Sequence, residues 1–267
     1  MALASMSEIF ERMARNGQEF WEVVLADDMD ERQVSREASM AKMLTTWQAM
    51  QDAADSYTGR KRSVSGLVGG DGMKMRQYTF RGCAMTGGYV SEVIAEALSM
   101  AESNACMRRI VAAPTAGACG VLPAVLLPLC KYEELTQHQL LEALYVAAGI
   151  GSIIAYKASI AGASGGCQAE IGTASAMAAG ALVALRGGEG EQIGHAVAMA
   201  LKNLMGLVCD PVAGLVEVPC VKRNVIGAVN AVSAADMALA GIESRIPVDE
   251  VIDAMGEVGR RMPVEFR

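Results

Sequence analysis

Two histidines, seven prolines and an aromatic content of 4% are the first scarcities in this 267-residue chain. With so few rings, a core has to come from Ala, Val, Ile, Leu and Met, which the 52% apolar content supplies. No block of Lys and Arg interrupts a formal charge of −7, so nothing is there to grip a phosphate backbone, and a nucleic-acid partner is not expected. No apolar run reads as a membrane span. Ile171–Leu185 holds 15 residues where about 20 are needed. The 20 residues of Val111–Cys130 are cut by Pro114, Gly117, Gly120, Pro123 and Pro128, and neither run has the aromatic and basic flanks of a span. Glu8 and Glu11 stand where a signal peptide needs a basic start and an apolar run. These absences predict a soluble, cytoplasmic protein with no membrane partner. The length allows one large domain, or one domain with a small appendage. A charged content of 20% and a mean hydropathy of +0.27 argue against a disordered chain.

Cysteine, in contrast, is present seven times: at 83, 106, 119, 130, 167, 209 and 220. An odd number with no export signal favours free thiols or metal ligands over disulfides.

Charge density divides the chain near Arg62, because residues 1–62 carry 19 of the 53 charged side chains. Ser5 with Glu8 has capping-box spacing before Ile9, Phe10 and Met13, and Asp30 to Gln33 is expected to open a second helix carrying Met40, Leu44 and Trp47. These read as amphipathic helices that pack on the main domain or dock a partner. Ser63 to Gly72 is a junction or an ordered loop, its four glycines forbidding a regular helix. Further helices are expected around Val93 to Ala101, after a capping box at Thr136 to Gln139, and from Pro247 with Asp249 and Glu250 in its first turn. Small residues dominate Ala143–Ile154, Ile171–Val183 and Val225–Gly241, while period-2 runs are scarce. The expectation is a mostly α protein: a charged helical segment over 1–62, then a compact helical domain over 63–267 with glycine-rich loops.

Gly162-Ala163-Ser164-Gly165-Gly166 fits the G-x-S-x-G pattern of a hydrolase elbow, but no strand precedes it and no Asp lies between Ser164 and His195. A pyridoxal-phosphate enzyme needs a Schiff-base lysine, and Lys157, Lys202 and Lys222 are available. The glycine run there serves equally as a phosphate cradle or as a sharp turn before a helix. Cys167, Cys209 and Cys220 each sit where a helix or turn begins, and amide donors at such places favour thiolates. Cys106 and Cys130 read as small core hydrophobes, and Cys83 and Cys119 have no companion at ligand spacing. The intervals between Cys167, Cys209 and Cys220 are too long for spacing alone to separate a metal site from three unrelated thiols. Three ligands on one metal centre leave a position open for substrate.

AAPTAGACGVLPAV (112–125), ASIAGASGGCQAEIGTA (158–174) and GLVCDPVAGLVEVPCVKRN (206–224) resemble the bacterial iron–sulfur L-serine dehydratases, in the alpha subunit of their two-subunit type. The resemblance runs from about Ser63 to Arg267. It implies that Cys167, Cys209 and Cys220 hold a non-redox [4Fe–4S] cluster whose uncoordinated iron binds L-serine. The implied activity, in amino-acid catabolism and gluconeogenesis, converts L-serine to pyruvate and ammonia without pyridoxal phosphate. It also implies a hetero-oligomer with a beta subunit that completes the site, for which residues 1–62 are a candidate dock. Thr115, with the Gly117–Gly120 turn, is then a candidate for the serine carboxylate, or a structural turn. Ser159 and Ser164 line the pocket or cap helices. Lys222 and Arg223 offset negative charge, and Asn224 hydrogen-bonds a cluster sulfur, or the three simply start a helix. His195 and His138 read as packing or surface residues, so no catalytic base is assigned. Family alpha chains continue past a segment like Met262–Arg267 into a glycine-rich tail, so a shortened form is expected. The rival readings are a pyridoxal-phosphate lyase and a helical scaffold subunit with inert thiols.

Overall fold

The first helix, α1 (Met6–Asn16), starts where the Ser5 hydroxyl accepts the Glu8 amide at 3.1 Å, and it stops at Gly17 in the left-handed region. The Glu8 carboxylate accepts from Ala4 rather than Ser5, so only half of the expected capping box forms. The structure is a computed structural model and describes residues 3–267. A second helix, α2 (Phe20–Arg32), occupies the residues expected to open one at Asp30; the next, α3 (Arg36–Asp55), starts instead at Ser35. The cause is local: Gln33 turns left-handed and the Ser35 hydroxyl accepts the Ala38 amide at 3.3 Å. Met6, Ile9, Phe20, Val23 and Leu25 are buried in the same core as the central helices, so α1 and α2 spend their apolar faces inward.

Next come α4 (Asp71–Phe80), α5 (Gly87–Ala105), α6 (Val121–Tyr132) and α7 (Gln137–Lys157), the last opened by the expected Thr136–Gln139 capping box. A single helical turn, α8 (Gly162–Gly165), leads through Gly166 and Cys167 into a π-helical turn, Gln168–Gly172. Then follow α9 (Thr173–Leu185), α10 (Gly190–Leu204), α11 (Cys220–Leu239) and α12 (Val248–Arg261). Among the described residues there is no strand, and the mostly α expectation holds.

At the centre, α9 is buried from Thr173 to Val183 and packs on α7, α10 and α11. Small residues permit such close approach: a side chain at Gly180 of α9 would strike Ile150 Cδ1 of α7 at 2.2 Å, and, between α7 and α2, one at Gly149 would strike Val24 Cγ2 at 2.4 Å. Among the described residues one helix, α7, is long and apolar enough to cross a membrane by length and composition; here two-thirds of its apolar window is buried inside the protein. Residues 63–70 of the glycine-rich stretch form an ordered loop, while Asp71 and Gly72 already open α4. Glu217 accepts from the Ser63 hydroxyl at 2.6 Å and from Ser65, tying this loop to residues 212–217.

Candidate active site

Three separate segments bring the three cysteines to one region. Cys167 precedes the π turn, Cys209 lies on the loop after α10, and Cys220 is the first residue of α11. Gln168 is the side chain that assembles two of them. It is buried, its carbonyl accepts the Gly206 amide at 2.8 Å, and its amide donates to Met255 at 3.1 Å. Its backbone N–H donates to Leu207 at 2.9 Å, so the Cys167 turn is fastened to the strand of loop leading to Cys209. Arg223 holds the other side, donating to Val208 at 2.8 Å and pairing with Asp210 at 2.6 Å, on either side of Cys209. The Cys209 amide donates to Phe266 at 2.8 Å.

Glu170, on the π turn, stands among these thiols. Its carboxylate lies flat on Gly117, where a Cβ would meet Oε1 at 2.7 Å and Oε2 at 2.9 Å. A Cβ on Gly162 would lie 3.5 Å from Glu170 Oε2 and 3.5 Å from Cys209 Sγ, so carboxylate and thiol flank one point. Thr115 donates its hydroxyl to Glu170. The π turn widens the helix by one residue and so re-aims this side chain, a usual place for a functional group.

The charges around the thiols explain their protonation. Burial pushes Cys167 up to about 12 despite the nearby Arg223 guanidinium. Burial, then the Glu170 charge, raises Cys209 and Cys220. Two of the thiols also feel a neighbouring one, Cys220 feeling Cys209 and Cys167 feeling Cys220. Unaided, the three stay protonated; a bound cation would have to displace their protons, as thiolate–metal sites do. Among the described residues no three His, Cys, Asp or Glu side chains stand in ready ligating geometry. The donor chemistry nevertheless fits an iron–sulfur group: three soft sulfurs from neighbouring segments in a low-polarity shell.

Other residues singled out by sequence are placed elsewhere or otherwise employed. Asn224 is fully buried, accepting from Gly120 at 2.9 Å and donating to Gly117 at 2.7 Å and Cys220 at 3.0 Å, so its amide is spent on joining the 117–120 turn to α11. It faces backbone rather than a substrate or a sulfur. Ser159 and Ser164 bond to each other at 2.6 Å and line a separate cavity of about 240 Å³ with Arg260. Lys157 pairs with Asp249 and Asp253 at 3.4 and 3.2 Å, Lys222 pairs with Asp71 at 2.8 Å, and Lys202 is exposed on α10. His195 accepts the Ser244 amide and His138 sits beside Trp21 and Glu142. Cys119 is buried against Met100, Cys130 bonds Leu126 and Cys83 is exposed, as solitary thiols are. Glu170 and Gln168 escaped the sequence reading. The available signal was two polar residues directly after Cys167, inside an otherwise apolar run.

A helical core with three thiols gathered at the starts of a turn, a loop and a helix defines a class of protein, and the comparisons specify which. The chain matches the family described as serine dehydratase alpha chain over residues 15–267. It is 46% identical over 246 residues to the probable L-serine dehydratase alpha chain of Bacillus subtilis, covering 92% of this chain and 82% of that one. It is 39% identical to the L-serine dehydratase alpha chain of Peptoniphilus asaccharolyticus, covering 97% and 89%. L-serine dehydratase 2 of Escherichia coli is 47% identical over 64% of this chain but only 38% of its own length. The chain belongs to the serine dehydratase alpha-chain family.

Proposed function

We propose that this chain is the alpha subunit of an L-serine ammonia-lyase, converting L-serine to pyruvate and ammonia in the cytoplasm. The observation that carries the reading is the convergence of Cys167, Cys209 and Cys220 around Glu170 in a member of this family. A [4Fe–4S] cluster on these three thiolates supplies a Lewis-acidic iron toward the substrate hydroxyl, whose departure as hydroxide is otherwise difficult. The chain's own residues prepare the ground. Gln168 and Arg223 hold the thiol-bearing segments in register, and Asn224 fixes the Gly117–Gly120 turn beneath Glu170. The buried shell of Ala169, Ile171 and Val221 limits water and strengthens each charge interaction.

A beta subunit is the proposed partner, as alpha-chain names and the greater length of the Escherichia coli relative suggest. Sequence placed its dock on residues 1–62, but α1 and α2 turn their apolar faces inward. Val64, Leu67, Val212 and Val216 stand exposed on the two loops joined by Glu217, beside Cys209 and Cys220, and this rim is the better dock.

Iron and sulfide content with a visible spectrum, on protein reconstituted without oxygen, tests the reading. About four irons per chain are expected, lost in Cys167→Ser, Cys209→Ser and Cys220→Ser and retained in Cys106→Ser. A chain that stays iron-free together with its beta subunit overturns the iron–sulfur reading, and four equivalent serine variants leave inert thiols.

A further inference from the structure

We infer that Glu170 binds the α-ammonium group of the substrate and thereby restricts this site to amino acids; the inference rests on the lyase reading above. Among the described residues, the Glu170 carboxylate receives one side-chain hydrogen bond, from Thr115, and no Lys, Arg or His lies within ion-pair distance. The nearest guanidinium, Arg223, is committed to Asp210, to Val208 and to the Cys167 side. Glu170 is only half-buried as a residue, and it adds negative potential at each of the three thiols. A carboxylate with lone pairs left open and no cation beside it is a ready acceptor for a cationic ligand.

The ligand chemistry follows from the acceptors left open. Thr115 occupies one side of Oε1, leaving Oε2, beside the position facing Cys209, to accept from a small cation with several donors. An ammonium group has three donors in a compact head and suits that space. A carboxylate brought to Thr115 would meet the Glu170 charge head-on, so the substrate carboxylate does not bind where Thr115 led the sequence reading to put it. Gly117 matters for the same reason: any side chain there would push the carboxylate out of place.

The test uses the reconstituted chain with its beta subunit and compares the wild type with Glu170→Gln, an isostere that keeps the Thr115 contact. Three readouts are needed: the cluster spectrum and iron content, kcat and KM for L-serine, and the affinities of two unreactive ligands. L-alanine carries the ammonium; 3-hydroxypropanoate carries the hydroxyl and carboxylate without it. The expected result is an unchanged spectrum, KM for L-serine and Kd for L-alanine raised about tenfold to a hundredfold, and 3-hydroxypropanoate bound as well as before or better. Thr115→Val should move the same quantities in the same direction by less, and it serves if Glu170→Gln does not fold. Equal weakening of both ligands, or no change in L-alanine affinity, overturns the inference while the lyase reading stands. Loss of iron in Glu170→Gln also overturns it, because Glu170 then belongs to the metal's ligand set. A wild type that neither holds iron nor turns over L-serine brings down the lyase reading and the inference with it.

Discussion

Glu102 and Glu170 are both glutamates drawn into the body of this protein, and they are used in opposite ways. Glu102, on α5, is 1% exposed and accepts from the amides of Gly70, Asp71 and Gly72 and from the Tyr57 hydroxyl. Its charge sits on the positive end of α4, where free amides and the helix dipole both favour an anion. Burial and this same carboxylate keep the Tyr57 phenol well above its usual range. Glu170 lies at a widened turn, half-buried, with one hydroxyl for company. A saturated carboxylate builds structure; one left with open lone pairs is available to a ligand. Asp71, whose amide Glu102 accepts, also pairs with Lys222 on the first turn of α11, two residues from Cys220.

The largest expected effect belongs to the saturated carboxylate. Glu102→Ala leaves three helix-start amides and a phenol unpaired, and chemical denaturation should show a loss of about 3 kcal/mol or more. Glu170→Gln on the same measure should change stability by less than about 1 kcal/mol, one hydrogen bond being altered. Equal losses at both positions would erase the distinction between them.

Asn224 tests whether the turn under Glu170 is held as the structure has it. Asn224→Ala removes three buried hydrogen bonds and should cost about 2 kcal/mol in the same experiment, with L-serine turnover falling as well. Gly117→Ala sharpens the comparison from the functional side. It displaces the Glu170 carboxylate and should lower kcat/KM for L-serine about tenfold, equivalent to ~1.4 kcal/mol, with a smaller change in melting temperature than Glu102→Ala.

The smallest effect belongs to a third carboxylate, Asp249, which joins α12 to α1. Burial would raise its carboxyl, but the Ser7 hydroxyl, the Ser7 and Met6 amides and the Lys157 ammonium outweigh that and hold it below its usual range. A carboxyl depressed in the folded state contributes stability above its unfolded value, about pH 4, and loses it as pH falls through the folded value. Amide-exchange protection of α1 should therefore decline on acidification below about pH 4. In Asp249→Asn that protection should be weaker at neutral pH and nearly flat with pH.

Much of the helical layout was legible in the sequence because the signals that start helices are local. Ser5, Thr136 and Pro247 cap or open helices through contacts within four residues, and α1, α7 and α12 begin where those residues stand. The second helix was misplaced because Ser35 caps better than Asp30 and because a left-handed Gln33 gives no sequence sign. Cys167, Cys209 and Cys220 were singled out in the sequence through the long motifs that carry the resemblance. Their company was not. Glu170 meets Thr115 across 55 positions and Asn224 meets Gly120 across 104, and nothing in either neighbourhood announces its partner. Composition and periodicity alone determined that this chain would be helical, apolar and closely packed. Which carboxylate would be saturated, which amide would be spent on backbone and which side chain would face the thiols was decided only in the tertiary structure, because hydrogen bonds are satisfied by whatever the packed helices bring within about 3 Å.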